Sequence, residues 1–285
     1  MMAPVMTEIL ITPQPDDPTL SHRVAGIDQD GCDIAVSVPV ERPLTVYLNR
    51  QEIITLMTIG DYPAYLALGF LVNQNMLRRE DTVTAVDYDP EIETVVVRTP
   101  HRTDFEEKLQ RKTRTSGCAQ GTVFGDLMER FDAVRLPAAT RLRTSRLLAL
   151  LKRINAIPSL YQEAGAIHGC VLARGEQPLL YMEDVGRHNA VDKIAGYMFR
   201  HGLEGEDTLF YTTGRLTSEM VIKTVQMGIP ILVSRSGFTA WGVDLARKAG
   251  LTLIGRAKGK RFVVLSGAER LITDAKADPG AGDGA

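Results

Sequence analysis

Apolar positions recur with two different periods along the chain, and the change of period shows how it is organised. In the first hundred residues the repeat is mostly two. TVYLNRQEIITLMT (45–58) alternates on either side of Asn49 and Arg50, which predicts a hairpin turning at that pair, and ETVVVRT (93–99) predicts a short strand. Residues 33–59 and 81–99 therefore read as β-rich. Between them DYPAYLALGFLVNQNML (61–77) carries apolar residues at helical spacing on more than one side, so a buried helix is expected after Asp61 or Tyr62. From residue 144 the pattern changes. Leu147, Leu150, Leu151 and Ile154 mark a helix with Thr144 or Ser145 as cap. Strands are then expected at 169–173, 179–182, 208–212, 230–234, 251–254 and 262–265, and helices at 189–199, 218–227 and 239–249. Gly228 and Gly250 are placed to end two of those helices.

This alternation predicts an α/β layer architecture with a mostly parallel sheet in the second half. A boundary is expected near 135–145, dividing an N-terminal α+β domain (1–140) from an α/β domain (141–272). DAKADPGAGDGA closes the chain as a polar tail, with 273–285 read as frayed.

Composition narrows the function classes. The 285 residues carry a net charge of −2, which excludes a general nucleic-acid binder, and no apolar run approaches the roughly 20 residues of a membrane span. A cytoplasmic protein is expected. The three cysteines, Cys32, Cys118 and Cys170, form neither a disulfide framework nor a paired zinc spacing. Cys32 and Cys170 adjoin strand-like segments and are expected to be buried small hydrophobes. Cys118 differs. RTSGCAQG (114–121) sets it among small and polar residues, with Arg111, Lys112 and Arg114 upstream. Cations favour the thiolate, the nucleophilic form, so a reactive thiol and an idle surface cysteine both remain open.

Four further stretches carry candidate chemistry. YMEDVGRHNAVDK (181–193) packs acids, bases and amides around Gly186, with His188 and Asp192 four apart on one helix face. It reads either as a pocket at a strand end or as a helix start capped by Asp184 or Asn189 with solvated charges. YTTGRLTSEMVIK (211–223) and LVSRSG (232–237) each run from a strand into hydroxyls and an arginine, Arg215 or Arg235, where a helix N-terminus attracts anions. Thr217 or Ser218 is expected to cap the helix that follows the first. GRAKGKR (255–261) gathers Arg256, Lys258, Lys260 and Arg261 around Gly259, either as a solvated basic hairpin or as a partner for a polyanion such as a nucleotide or pyrophosphate.

Taken together, DYPAYLALGFL, TSGCAQG, EDVGRHNAVDK, TGRLTSEMVIK, GIPILVSRSGFT and LARKAGLTLIGRAKGKRF resemble the FdhD family of sulfurtransferases that serve formate dehydrogenase. The resemblance implies a cytidine-deaminase-like α/β domain in the C-terminal half, a smaller β-rich N-terminal α+β domain and a homodimer. It also implies sulfur transfer from the persulfide of a cysteine desulfurase, through Cys118, to the bis(molybdopterin guanine dinucleotide) form of the molybdenum cofactor as bound substrate. On this chain the family's cofactor-binding stretch falls on Arg256, Ala257, Lys258, Gly259, Lys260 and Arg261. A chaperone that delivers the cofactor without moving sulfur is the alternative, and a plain nucleotide-binding module is a third. Two departures stand out. Ala119, Gln120 and Gly121 follow Cys118, so the C-x-x-C pair common in the family is missing, and Arg256 stands where an aromatic is common. The zinc-deaminase residues, H-x-E with P-C-x-x-C, are missing too, so neither zinc nor deamination is expected.

Overall fold

The computed structural model describes residues 9–100 and 124–274. Cys118, its upstream cations and the tail from 275 lie outside the described residues.

The N-terminal half opens with a hairpin, β1 (Ser21–Ile27) and β2 (Asp33–Pro39). A four-stranded sheet follows, built from β3 (Arg42–Leu48), β4 (Gln51–Thr58), β5 (Ala85–Asp89) and β6 (Thr94–Arg98) in the order β4-β3-β6-β5. The β3–β4 turn falls on Asn49, which takes the left-handed conformation at φ 56°, and Arg50. Helix α1 (Pro63–Asn73) starts with a proline, and every residue from Leu66 to Asn73 is buried. A helix apolar on all sides must be covered on all sides. One flank packs on Leu44, Val46, Val95 and Val97 of the sheet. The other packs on α5 (Arg187–His201), where the two backbones touch. A Cβ at Gly69 would lie 1.7 Å from the Asp192 carbonyl oxygen, and one at Gly196 would lie 1.9 Å from that of Tyr65.

The remaining helices and strands are α2 (Phe124–Ala133), β7 (Leu142–Arg143), α3 (Thr144–Ala156), α4 (Leu160–Ala164), β8 (His168–Arg174), β9 (Gln177–Asp184), β10 (Leu209–Thr212), α6 (Ser218–Gln226), β11 (Ile231–Ser234), α7 (Ala240–Ala249), β12 (Thr252–Lys258), β13 (Arg261–Ser266) and β14 (Leu271–Ile272). The division expected at 140–141 falls in the extended stretch between α2 and β7. A six-stranded sheet, ordered β13-β12-β11-β10-β8-β9, forms the middle of three layers. Cys170, Leu172, Phe210, Leu232 and Leu253 face α5, α6 and α7 on one side. Val171, Ala173, Leu209, Tyr211 and Val233 face Leu147, Leu150, Leu151 and Ile154 of α3 on the other. Burial on both faces explains why these strands read as continuous apolar runs.

The sheet is mixed, not mostly parallel. Only β10–β11 and β11–β12 are parallel pairs, whereas β8–β9, β8–β10 and β12–β13 are antiparallel. The links between β8 and β9 and between β12 and β13 are two residues long, far short of the dozen or so a parallel crossover needs. Nor do Thr144 and Ser145 cap α3 themselves. Arg143 holds the N-cap position, and the carboxylate of Asp274 accepts from the Ser145 amide at 2.9 Å and the Thr144 hydroxyl at 3.1 Å. The cap comes from 129 residues along the chain, which no local pattern could disclose.

A cationic edge of the central sheet

Strand β8 runs antiparallel to β9 and β10, and β10, β11 and β12 run parallel to one another. The carboxyl ends of β9, β10, β11 and β12 therefore share one edge with the first residue of β8, His168. Three helices leave that edge with their amide ends towards it: α5 after β9, α6 after β10 and α7 after β11. Edges of this kind, at the carboxyl ends of strands, are where α/β sheets receive ligands, and helix N-termini favour anions.

The same local device turns the chain at each exit. The side-chain oxygen of the last strand residue accepts the amide two positions on: Asp184 from Gly186 at 3.1 Å, Thr212 from Gly214 at 3.0 Å and Ser234 from Ser236 at 2.8 Å. The Ser234 hydroxyl also donates to the Gly214 carbonyl at 2.6 Å, tying two exits together. No side-chain cap bond forms at Gly186 or Thr217, the N-cap residues of α5 and α6. Asp184 and Asn189 are thus not the expected caps of α5, and the amide ends of α5 and α6 are not closed off by such bonds.

Arg187, His188, Arg215 and Arg235 all reach this edge. Arg187 lies against the bare backbone of Gly214, where a Cβ would come 3.1 Å from its own. The Nε2 of His188 lies 2.9 Å from the Glu219 carboxylate, and burial holds the imidazole below the usual histidine range. His168 is also held low, first by burial and then by the positive charge of Arg187. The buried Nε of Arg187 and the buried Oγ of Thr217 have no hydrogen-bond partner among the described residues. Orphaned donors beside cationic groups and two helix N-termini suit an anionic ligand.

The basic hairpin stands beside this edge. Arg256 takes the left-handed conformation at φ 53°, and its amide donates to the Ser236 carbonyl at 2.7 Å, joining the hairpin to the β11 exit. Arg256, Lys258, Lys260 and Arg261 are exposed. Lys258 pairs with Arg261 across a turn that includes Gly259 at φ 61°. Ala257 differs from its neighbours. It is buried in the core beneath the sheet, so its side chain anchors the hairpin and cannot face a ligand.

The rest of EDVGRHNAVDK is architectural, and its charges are not solvated. Lys193 is fully buried, and its ammonium meets Asp184 at 2.5 Å, the carboxylate of Asp61, and the Glu183 carbonyl at 2.8 Å. Asp184 also accepts from Thr58 at 2.5 Å and from Asn189 at 3.0 Å. Asp192 accepts from Asn73 at 2.7 Å and pairs with Lys223 at 2.7 Å. These bonds fasten the N-terminal half to α5. Sequence reasoning passed over Asp61, His168, Glu219 and Lys223. The last two stand four apart on α6, matching His188 and Asp192 on α5, and that repeated spacing was the available signal. Glu183 accepts from the Leu160 and Tyr161 amides, both at 2.9 Å, yet burial pushes it up to about 7. It lines a cavity of about 280 Å³ with Asp61, Tyr62 and Tyr181.

Of the other cysteines, Cys170 is buried as expected, with its thiol pushed up to about 12 by burial. Cys32 is exposed, contrary to expectation. It closes the β1–β2 turn, where its amide donates to the Asp28 carboxylate at 2.9 Å, and the hairpin projects instead of packing in a core. Among the described residues, no group of three His, Cys, Asp or Glu side chains is placed to hold a metal ion.

Two curated relatives named sulfur carrier protein FdhD, from Listeria monocytogenes and Bacillus subtilis, are 29% identical over 247 residues and 28% over 232. The alignments cover 84% and 81% of this chain and 93% and 88% of those proteins. A crystal structure from Desulfotalea psychrophila, assigned as a formate dehydrogenase accessory protein, superposes with a TM-score of 0.71 at 26% identity, covering 89% of this chain and all of that one. The model of the FdhD/NarQ family matches residues 39–272, from the end of β2 to β14, and the chain belongs to that family.

Proposed function

We propose that this protein is a sulfur carrier required for formate dehydrogenase activity. Family membership carries the reading, together with the names of its relatives. The Cys118 thiolate attacks the outer sulfur of a cysteine desulfurase persulfide. A new S–S bond forms on Cys118, the donor's S–S bond breaks, and the donor cysteine leaves as thiolate. The terminal sulfur then passes to the metal of bis(molybdopterin guanine dinucleotide), the bound substrate. The reduced metal supplies the two electrons that turn sulfane sulfur into bound sulfide, and Cys118 returns as thiolate. Arg256, Lys258, Lys260 and Arg261, with the Gly259 turn between them and Ala257 as anchor, receive the phosphates of that ligand beside Arg187, Arg215 and Arg235. The proposal includes a cytoplasmic homodimer and a cytidine-deaminase-like relationship for the three-layer unit.

One sequence feature favours a second reading. With Ala119, Gln120 and Gly121 after Cys118, no second thiol in that loop can help to discharge the sulfur, which suits a chaperone that delivers the cofactor unchanged. Mixing the full chain with a cysteine desulfurase and labelled cysteine, then locating the label by peptide mass spectrometry, separates the two. Label on Cys118, lost together with formate dehydrogenase activation in Cys118→Ala, supports the carrier. Activation that survives the substitution rules it out.

A further inference from the structure

The cavity beside Glu183 lies at the β9 edge of the central sheet, the opposite edge from β12 and β13 with their basic hairpin. Its roof is a strap from the start of the chain. The Leu10 amide donates to the Leu179 carbonyl at 2.8 Å, and the Tyr181 amide donates to the Ile11 carbonyl at 2.9 Å, so the strap runs along β9 before it turns away. Thr12, Pro13, Gln14 and Asp17 then line the cavity, and Leu20 brings the chain back into a core of Ile59, Leu160 and Ile167. These roofing residues precede the segment 39–272 that the family model matches. The volume of about 280 Å³ is room for roughly nine waters, too much for a bare ion and enough for a small organic molecule.

Two independent features of the wall point to a ligand. The first is charge. The carboxyls of Asp17, Asp61 and Glu183 line the space, and Lys193, the cation that reaches them, already divides its ammonium between Asp61 and Asp184. Burial pushes Glu183 up to about 7 and holds Asp61 above its usual range, the response of carboxylates taken out of water with too little positive charge beside them. Glu183 accepts only the Leu160 and Tyr161 amides, so its oxygens keep lone pairs to spare. The second is an orphaned hydroxyl. Ser159 is 1% exposed and directly precedes Leu160, a wall residue, yet its Oγ has no hydrogen-bond partner among the described residues. It stands near enough to lower the phenol of Tyr181, another wall residue, without bonding to it. A buried hydroxyl left unpaired is costly unless something fills the role. The rest of the wall is apolar, with Leu20, Ile59, Leu160 and Met182.

We propose that this cavity is a binding site for a small free primary alkylammonium ion, its nitrogen held by the Asp61 and Glu183 carboxylates and its alkyl arm laid against Ile59, Leu160 and Met182. An ammonium brings three donors and no acceptor, which suits two carboxylates and the unpaired Ser159 hydroxyl. The site is independent of the phosphate-binding reading and stands or falls without it.

The full-length protein, labelled with ¹³C at its methionine methyls, is titrated with n-butylamine and with 1-butanol, which has the same shape and no charge. The Met182 methyl, assigned with Met182→Leu, should shift saturably with butylamine in the millimolar range, and butanol should bind about tenfold more weakly. Glu183→Gln should weaken butylamine about tenfold and leave butanol unchanged. Thermal unfolding shows whether that variant keeps the fold, and the two ligands on the wild-type protein decide the matter if it does not. A capped lysine amide, which carries the same ammonium on a peptide, should bind more weakly than butylamine. Tighter binding of the lysine amide would assign the site to a side chain of another protein and overturn the free-amine reading. Equal affinity for amine and alcohol, or no saturable shift at Met182, overturns the site itself.

Discussion

Replacing Lys193 by methionine probes the network that joins the two halves. The side chain is fully buried, and its three N–H donors go to Asp184, Asp61 and the Glu183 carbonyl. Methionine fills similar space without the charge. Asp184 keeps its bonds from Thr58, Gly186 and Asn189, but Asp61 loses its counter-ion. Removing one partner of a buried pair costs about 3–5 kcal/mol. The loss must also depend on pH. Burial already holds the Asp61 carboxyl above the usual range, against the lowering pull of Lys193, so deleting the lysine raises it further. A carboxyl whose folded pKa exceeds its unfolded one stabilises the fold below the unfolded value and loses that contribution as pH rises through the folded value. The destabilisation should therefore be larger at about pH 8 than at about pH 5, by roughly 1.4 kcal/mol for each unit of further upward shift. Urea unfolding followed by far-UV circular dichroism at both pH values measures it. A loss under about 1 kcal/mol at both, or a larger loss on the acidic side, would refute the buried-pair account.

Gly69→Ala should destabilise the protein by about 3 kcal/mol, since the new methyl would meet backbone of α5 that can yield only if the helices part, whereas Gly26→Ala, with nothing within 4 Å, should be near neutral in the same urea series. Iodoacetamide under native conditions should label Cys32, which is exposed, and spare Cys170 until denaturant is added, as peptide mass spectrometry would show; early modification of Cys170 would contradict its burial. Asp274 is held down to about 2, mainly by the Ser145 amide, so its capping contribution is present above the ordinary aspartate range and is lost as pH falls through about 2. Thermal midpoints of Asp274→Ala should accordingly fall below wild type near neutral pH and converge with it in strong acid.

Local pattern disclosed the elements and concealed their partners. The Asn49–Arg50 turn, the buried helix at Pro63 and the helices ending at Gly228 and Gly250 were legible because a period or a glycine encodes each one nearby. The charges of EDVGRHNAVDK looked like a pocket or a solvated face because their partners, Thr58, Asp61, Asn73 and Lys223, sit elsewhere in the chain. Cys32 was misread because strand-like neighbours do not tell a projecting hairpin from a packed one. At the cationic edge, the arginines and the basic hairpin were visible as residue types. Their convergence depends on strand order, and strand order is settled by long-range pairing.

Helix α1 is buried from Leu66 to Asn73, and among the described residues one of its flanks is closed by α5. The first hundred residues are therefore an incomplete object without the last hundred. Expressed alone, they would offer bare helix backbone around Gly69, together with the Tyr65 ring, to whatever apolar surface came near. Truncation products ending before α5 are aggregation hazards, and a proteolytic nick between the halves would leave two fragments still clasped together.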